Sequence, residues 1–179
     1  MIQGEKITLR ALEDRDGERL RHWRNHPAIF PYHFTSLPTS EVEQRRWYES
    51  YAHNPAYQCF IIEDEAREPI GYVILKDIDY KNAHAEIGLY LDPKYQGQGY
   101  GKDAFLTLMR FGFHELNLHR LFLHVLDFNE KAIKLYQSIG FQIEGRLREA
   151  HFTANRYHDI LVMSILVKEF EETKPDASA

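Results

Sequence analysis

The chain has 179 residues, 44% of them hydrophobic and 13% aromatic, enough apolar mass for one well-packed core of ordinary domain size. Lys and Arg number 22 against 27 Asp and Glu, and the net charge of −5 argues against a non-specific nucleic-acid binder, which carries a basic surplus. No apolar run approaches the ~20 residues needed to cross a bilayer, and the N-terminus lacks a basic-then-apolar secretory pattern, so a cytoplasmic protein with no membrane partner is expected.

Lys6 to Leu12 suits a first strand, and Gly17 to Asn25 a helix carrying Leu20 and Trp23 on one side and stopped at His26-Pro27. A second helix runs from a cap at Ser40 through Tyr51, marked by Val42, Trp47 and Tyr51. Between them lies an aromatic loop, residues 28–39, with Phe30, Tyr32, His33 and Phe34 and no carboxylate. The only cysteine, Cys59, follows in the apolar run Gln58-Cys59-Phe60-Ile61-Ile62 and reads as a buried structural thiol of a reducing compartment.

Tyr57 to Glu63, Ile70 to Asp77 and His84 to Leu91 form an antiparallel meander joined by polar turns. In the third strand Ala85, Ile87, Leu89 and Leu91 share one face, while His84, Glu86, Gly88 and Tyr90 share the other. Glu86 is thus held in mid-strand. A helix is expected from Tyr100 to Leu116, a strand from His119 to Leu126, and a helix begun by Asn129 and stopped by Gly140. That last helix turns Ala132, Ile133, Tyr136 and Ile139 inward. Two long strands, Phe141 to Phe152 and Arg156 to Phe170, close the chain as a hairpin, with Asn155 where a positive φ is suited. The fold class is α/β (α+β): a mixed, mostly antiparallel central sheet of about seven strands with helices on both faces. One domain is expected over residues 1–172, followed by a flexible C-terminal tail at 173–179.

Between the third meander strand and the Tyr100 helix stands Gln96-Gly97-Gln98-Gly99-Tyr100-Gly101. Glycines at alternate positions let the main chain bend tightly and expose N–H groups, and the positive end of the following helix favours an anion there. The spacing does not fit G-x-G-x-x-G. A P-loop would need Gly at 96 and Ser or Thr at 103, where Gln96 and Asp103 stand. The histidines form no His-Glu-x-x-His, and His114, His119 and His124 straddle a helix-to-strand junction, so no metal is expected.

The order strand, glycine turn, helix, strand, Asn-initiated helix with an inward Tyr, then Gly140-Phe141 resembles the GNAT acetyltransferases. Gln96, Gly99 and Gly101 match that superfamily's coenzyme motif, Q/R-x-x-G-x-G/A, and the segment from Asn129 to Tyr136 before Gly140-Phe141 resembles its second motif. Trp23-Arg24-Asn25-His26-Pro27 and Glu144-Gly145-Arg146-Leu147-Arg148-Glu149 look like the branch with ribosomal-protein N-terminal, spermidine and nucleotide-aminosugar acetyltransferases.

The resemblance implies acetyl-CoA as co-substrate. Its pyrophosphate would meet the segment Gln96, Gly97, Gln98, Gly99, Tyr100, Gly101 and Lys102, and its pantetheine arm would pair with the main chain at Leu89 and Leu91. Asn129 would also meet the coenzyme or serve only as a helix cap. The amine attacks the thioester directly in a ternary complex and must first lose a proton, for which Glu86 is the candidate base, directly or through water. Tyr136 is the candidate proton donor to the departing thiolate. Each has a plainer alternative: Glu86 solvated or paired with a nearby arginine, Tyr136 packed in the core. Phe30, Tyr32, His33 and Phe34 are candidates for holding the acceptor, a peptide N-terminus or a sugar amine; a polyamine is kept as an alternative, weakened because it calls for carboxylates that the loop lacks. Deprotonation at pH 7 costs an α-amine about 1.4 kcal/mol and a lysine-like amine about 4.6 kcal/mol, which favours a protein N-terminus. A non-catalytic acyl-CoA sensor and a homodimer formed through the final strands stay open.

Overall fold

In the computed structural model, which describes residues 1–35 and 37–172, strand-forming runs alternate with amphipathic helices in the order expected from the apolar spacing. The strands are β1 (Ile2–Gln3), β2 (Thr8–Ala11), β3 (Gln58–Glu63), β4 (Pro69–Asp79), β5 (His84–Leu91), β6 (Arg120–Leu126), β7 (Gln142–Thr153) and β8 (Arg156–Leu166). The helices are α1 (Gly17–Arg24), α2 (Glu41–Ala52), α3 (Tyr100–Arg110), α4 (Glu130–Ile139) and α5 (Val167–Glu172). The strands form one sheet in the order β1-β2-β3-β4-β5-β6-β8-β7. Every neighbouring pair is antiparallel except β5 and β6.

Alternation sorts side chains onto two covered faces. On one, Ala104, Phe105, Leu108 and Met109 of α3 pack on Val73, Leu75, Ala85, Ile87, Leu121 and Leu123, and α4 adds Ala132, Ile133 and Tyr136. On the other, Leu20 and Trp23 of α1 and Trp47 and Tyr51 of α2 cover Cys59, Ile61, Tyr72 and Tyr90. Tyr90 stacks on Trp23 and on Tyr72, each 5.5 Å away between ring centroids. Burial pushes the Cys59 thiol up to about 12, which agrees with a structural, unreactive cysteine.

Helix ends follow the sequence signals. Ser40 and Glu43 form a reciprocal capping box on α2, Asn129 caps α4, and Gly140 ends it at φ 109°. Asn155 takes φ 61° in the β7–β8 turn, as its position suggested. Asp103, in the first turn of α3, accepts from the N–H groups of Glu5, Lys6 and Ile7 at 3.1, 2.7 and 3.2 Å, which ties the β1–β2 turn to that helix.

The mixed, mostly antiparallel sheet is as expected, its eighth strand being Ile2–Gln3, which pairs with β2 at the edge. Two expectations need correction. The final strand stops at Leu166 instead of Phe170. Glu169 there accepts from the Leu166 N–H at 2.8 Å, and Val167–Glu172 coils into α5, seating Phe170 5.2 Å from Phe113. The helix expected to reach Leu116 is regular only to Arg110 and widens to a π turn over Phe111–Glu115. The tail expected at 173–179 lies outside the described residues.

One feature of the sheet positions the site. β5 and β6 pair only at His84↔Arg120, Ala85↔Leu121 and Glu86↔Phe122. Beyond that point β5 stays paired with β4 as far as Gly71↔Leu91, and β6 stays paired with β8 as far as Leu126↔Ile160. The two parallel strands therefore part inside the sheet, and each presents an unpaired main-chain edge to the gap.

Candidate active site

The gap between β5 and β6 opens into a cavity of about 1160 Å³. Its walls come from β5 and β6, the glycine turn before α3, the start of α4, and the aromatic loop with α1 and α2 on the opposite side. A small-molecule cavity at a break in a sheet has the apolar lining and few convergent polar groups typical of a ligand site.

At the glycine turn, Gly97 and Gly99 take φ 78° and 89°, a region that costs any side chain strain. α3 has no side-chain cap on its Gly99 N-cap. Among the described residues, the N–H groups of Gly97, Gly99, Gly101 and Lys102 have no hydrogen-bond partner, and all four residues line the cavity, so donors at a helix N-terminus stand at its mouth. Gly101 is packed closely: a Cβ there would stand 3.3 Å from Leu89 Cδ2 and 3.7 Å from Leu91 Cδ2. Gln96 braces the turn, donating to Leu91 O at 3.1 Å and accepting from Lys131 Nζ at 2.7 Å. Lys6 Nζ donates to Gln98 O at 3.3 Å.

The cavity gathers most of the candidate coenzyme residues: Leu89, Leu91, Gln96, Gly97, Gly99, Gly101, Lys102 and Asn129 all line it. Gln98 and Tyr100 do not. Gln98 turns back to Lys94 O at 3.1 Å, and Tyr100 packs edge-on against Tyr95. Asn129 Oδ1 accepts from the Ala132 N–H at 3.3 Å, so it performs its capping role while facing the cavity. Tyr32, His33 and Phe34 line the acceptor side. Phe30 does not, because the turn over Phe30–Tyr32 faces Ile29 and Tyr32 into the cavity instead.

Glu86 and Tyr136 line the same cavity from opposite strand and helix walls. Glu86 Oε2 pairs with Lys76 Nζ at 3.1 Å, and Oε1 lies 3.2 Å from His124 Nδ1. Glu86 is thus paired with a lysine and a histidine rather than with the arginine of the plainer alternative. Tyr136 packs between Phe105 and Phe141, with centroids 5.2 and 6.0 Å away, and its hydroxyl has no hydrogen-bond partner among the described residues. Burial pushes its phenol up to about 12, so it keeps its proton throughout the physiological range. His33 is held below its usual value by burial and then by the charge of Arg24, which leaves it neutral at pH 7.

Sequence reading missed Arg24, Trp47, Tyr72, Lys76 and His124, all of which line the cavity. Cross-strand register was the available signal for two of them, since Lys76 sits opposite Glu86 and Tyr72 opposite Tyr90. Arg24 and Trp47 come from α1 and α2, whose docking no local pattern encodes. Among the described residues no cluster of His, Cys, Asp and Glu is able to hold a metal, and no helix is long and apolar enough to cross a membrane.

Comparison with known proteins agrees with this architecture. The family model described as "Acetyltransferase (GNAT) domain" matches residues 6–142. A spermidine N(1)-acetyltransferase of Vibrio cholerae is 34% identical over 92% of this chain and 95% of its own. A putative ribosomal N-acetyltransferase of Bacillus subtilis is 29% identical over 95% of this chain and 96% of its own. The crystal structure of the Vibrio cholerae spermidine N-acetyltransferase in complex with CoA and spermine superposes with a TM-score of 0.88, at 34% identity, covering 93% of this chain and 98% of that one. With a sheet that parts at Glu86, a cavity along the parting and a family match across most of its length, the chain belongs to the GNAT acetyltransferases and transfers the acetyl group of acetyl-CoA to an amine.

Proposed function

We propose that the protein acetylates a primary amine by direct attack in a ternary complex, with a peptide N-terminal α-amine as the favoured acceptor. The observation that carries this reading is the cavity itself, which joins the N–H groups of Gly97, Gly99, Gly101 and Lys102 to Glu86 and Tyr136 through the gap between β5 and β6. The pyrophosphate of acetyl-CoA rests on those donors beside Lys102, and the pantetheine arm runs along the free edge of β5 at Leu89 and Leu91, adding a short strand where β6 has turned away. Asn129 borders the same arm.

The thioester then lies between Glu86 and Tyr136. Glu86 takes a proton from the acceptor ammonium, directly or through water, and His124 carries it on toward solvent. The amine lone pair forms the N–C bond, the C–S bond breaks with its electron pair on sulfur, Tyr136 gives its proton to the departing thiolate, and the surplus proton of the new amide nitrogen returns to the Tyr136 oxygen through water. Aromatic side chains Tyr32 and Phe34, with neutral His33, hold the acceptor beyond the sulfur.

The names of the relatives support a second reading, a polyamine acceptor. Thiol release from acetyl-CoA, measured over a panel of peptides, amino sugars and polyamines, separates the two. Fastest turnover with peptides supports the first; fastest turnover with spermidine replaces it with the second. We also assign residues 1–172 to one N-acetyltransferase domain and the protein to the cytoplasm, where its co-substrate is at hand. The mostly exposed free edge strand β7, with Ile143 and Leu147 outward, supports a homodimer formed along that edge, which light scattering checks.

A further inference from the structure

Arg24 ends α1 with its guanidinium inside the acceptor half of the cavity. It is not free to wander. Its carbon Cζ lies 4.4 Å over the ring of Trp47, and Nη1 donates to Gln44 Oε1 at 3.3 Å. Asn25, the next residue, clamps the aromatic loop by accepting from the Thr39 N–H at 2.7 Å and donating to Thr39 O at 2.8 Å, so the floor beneath Arg24 is fixed as well.

What Arg24 lacks is an anion. Arg10 holds Asp16 and Glu63, Arg120 holds Glu144, and Arg146 holds Asp159. Among the described residues, by contrast, no carboxylate lies within 4.0 Å of Arg24. The cavity's described lining contains only two carboxylates, Glu43 and Glu86. Both are engaged: Glu43 accepts from the Ser40 N–H at 2.7 Å in its capping box, and Glu86 faces Lys76 and His124. A second ammonium on an acceptor would therefore meet Arg24 and no open acid. An acceptor with an oxyanion would meet a planar, braced fork of donors over an aromatic ring, the arrangement suited to bidentate recognition.

Resting on the acetyl-transfer reading above, we infer that the acceptor carries an anionic group, a carboxylate or a phosphate, remote from its reacting amine, and that Arg24 receives it. The spacing is set by the sheet. Tyr72, near enough to Arg24 for its phenol to feel that charge, lines the cavity from β4, and Lys76, opposite Glu86, stands four positions further along the same strand. That separation is about 13 Å at ~3.3 Å per residue. It exceeds the reach of a free amino acid, whose amine and carboxylate share one carbon, and suits a short peptide's C-terminal carboxylate or a phosphate linked to an amino sugar.

The test is a thiol-release assay on the wild-type protein with matched pairs: a tripeptide with free or amidated C-terminus, an amino sugar with or without a phosphate, and spermidine alongside. The anionic member of at least one pair is expected to exceed its neutral twin in kcat/KM by roughly ten- to a hundred-fold, and to exceed spermidine. Which pair responds distinguishes carboxylate from phosphate. In Arg24→Gln the ratio within that pair falls toward unity through KM, with the KM for acetyl-CoA retained as evidence of an intact fold. Arg24→Lys, which keeps the charge without the fork, falls between. Turnover without preference within either pair, or with spermidine ahead, overturns the role of Arg24 alone. No turnover with any amine overturns the acceptor reading beneath it.

Discussion

His124 Nδ1 lies 3.2 Å from Glu86 Oε1, two residues past the Phe122 that makes the last register pair between β6 and β5. The contact stands at the apex of the gap, where the carboxylate side chain reaches across strands that have stopped exchanging main-chain hydrogen bonds. Lys76 holds the other oxygen of Glu86 from β4. A carboxylate fixed from both sides at the head of the cavity suits the base proposed above.

Glu86→Gln is therefore expected to lower kcat/KM by about a hundred-fold or more, the usual contribution of a positioned acid or base. His124→Gln is expected to cost about ten-fold in kcat/KM. Steady-state rates check both; an unchanged rate in His124→Gln removes that residue from the proton path.

Tyr136→Phe removes only the hydroxyl from a ring wedged between Phe105 and Phe141, so the packing survives. Turnover is expected to fall by about ten-fold or more with little change in acetyl-CoA affinity. Because burial raises the phenol to about 12, its proton is retained as pH climbs through 7 to 10 and is lost only above that range. The wild-type rate should then show no alkaline decline near pH 10. A decline there with Tyr136 titrating, or an unchanged rate in the variant, contradicts the assignment.

Gly99→Ala places a side chain at φ 89° and brings Cβ to 3.4 Å from Lys6 Nζ. The strain is about 1 kcal/mol, and the displaced N–H groups should weaken CoA binding by roughly ten-fold, read by calorimetry. Equal affinity for wild type and variant would show that the glycine turn is not where the coenzyme is held.

How much of this was legible beforehand differs between local and long-range features. The glycine turn, the Ser40 and Asn129 caps and the stop at Gly140 rest on bonds within a few residues, and each appears where its residue types place it. Glu86 and Tyr136 were found through the strand alternation and the family motif, and the cavity includes both. Arg24, Lys76 and His124 were not found, because their relevance arises from neighbouring strands and from the way α1 docks, with partners far away in sequence. The two-residue strand β1 is too short to carry a period, and its pairing depends on Asp103 gathering the turn at Glu5, Lys6 and Ile7.

That gathering makes Asp103→Ala an expected destabiliser by roughly 2–4 kcal/mol, since three N–H groups lose a charged acceptor. Urea denaturation checks it, and a change below about 0.5 kcal/mol would mean that water replaces the carboxylate without cost.

A second tie predicts pH dependence. Burial by itself raises the Asp16 carboxyl, but its hydrogen bonds with Arg10 and the Glu13 N–H outweigh burial and hold it below its usual value. A carboxyl lowered in the folded state stabilises above its unfolded value, about 3.9, and that stability is lost as pH falls through the lower folded value. Asp16→Asn is accordingly expected to be less stable than wild type by about 2 kcal/mol at pH 7, the gap narrowing below pH 4. A gap that stays constant on acidification would contradict the linkage.

The most direct test is a crystal structure with CoA bound. The account expects the pyrophosphate at about 3 Å from N–H groups within residues 97 to 102, the pantetheine arm along β5 between Leu89 and Leu91, and the sulfur in the gap facing Tyr136. A coenzyme seated away from the glycine turn, or a sulfur pointing away from both Glu86 and Tyr136, would contradict it.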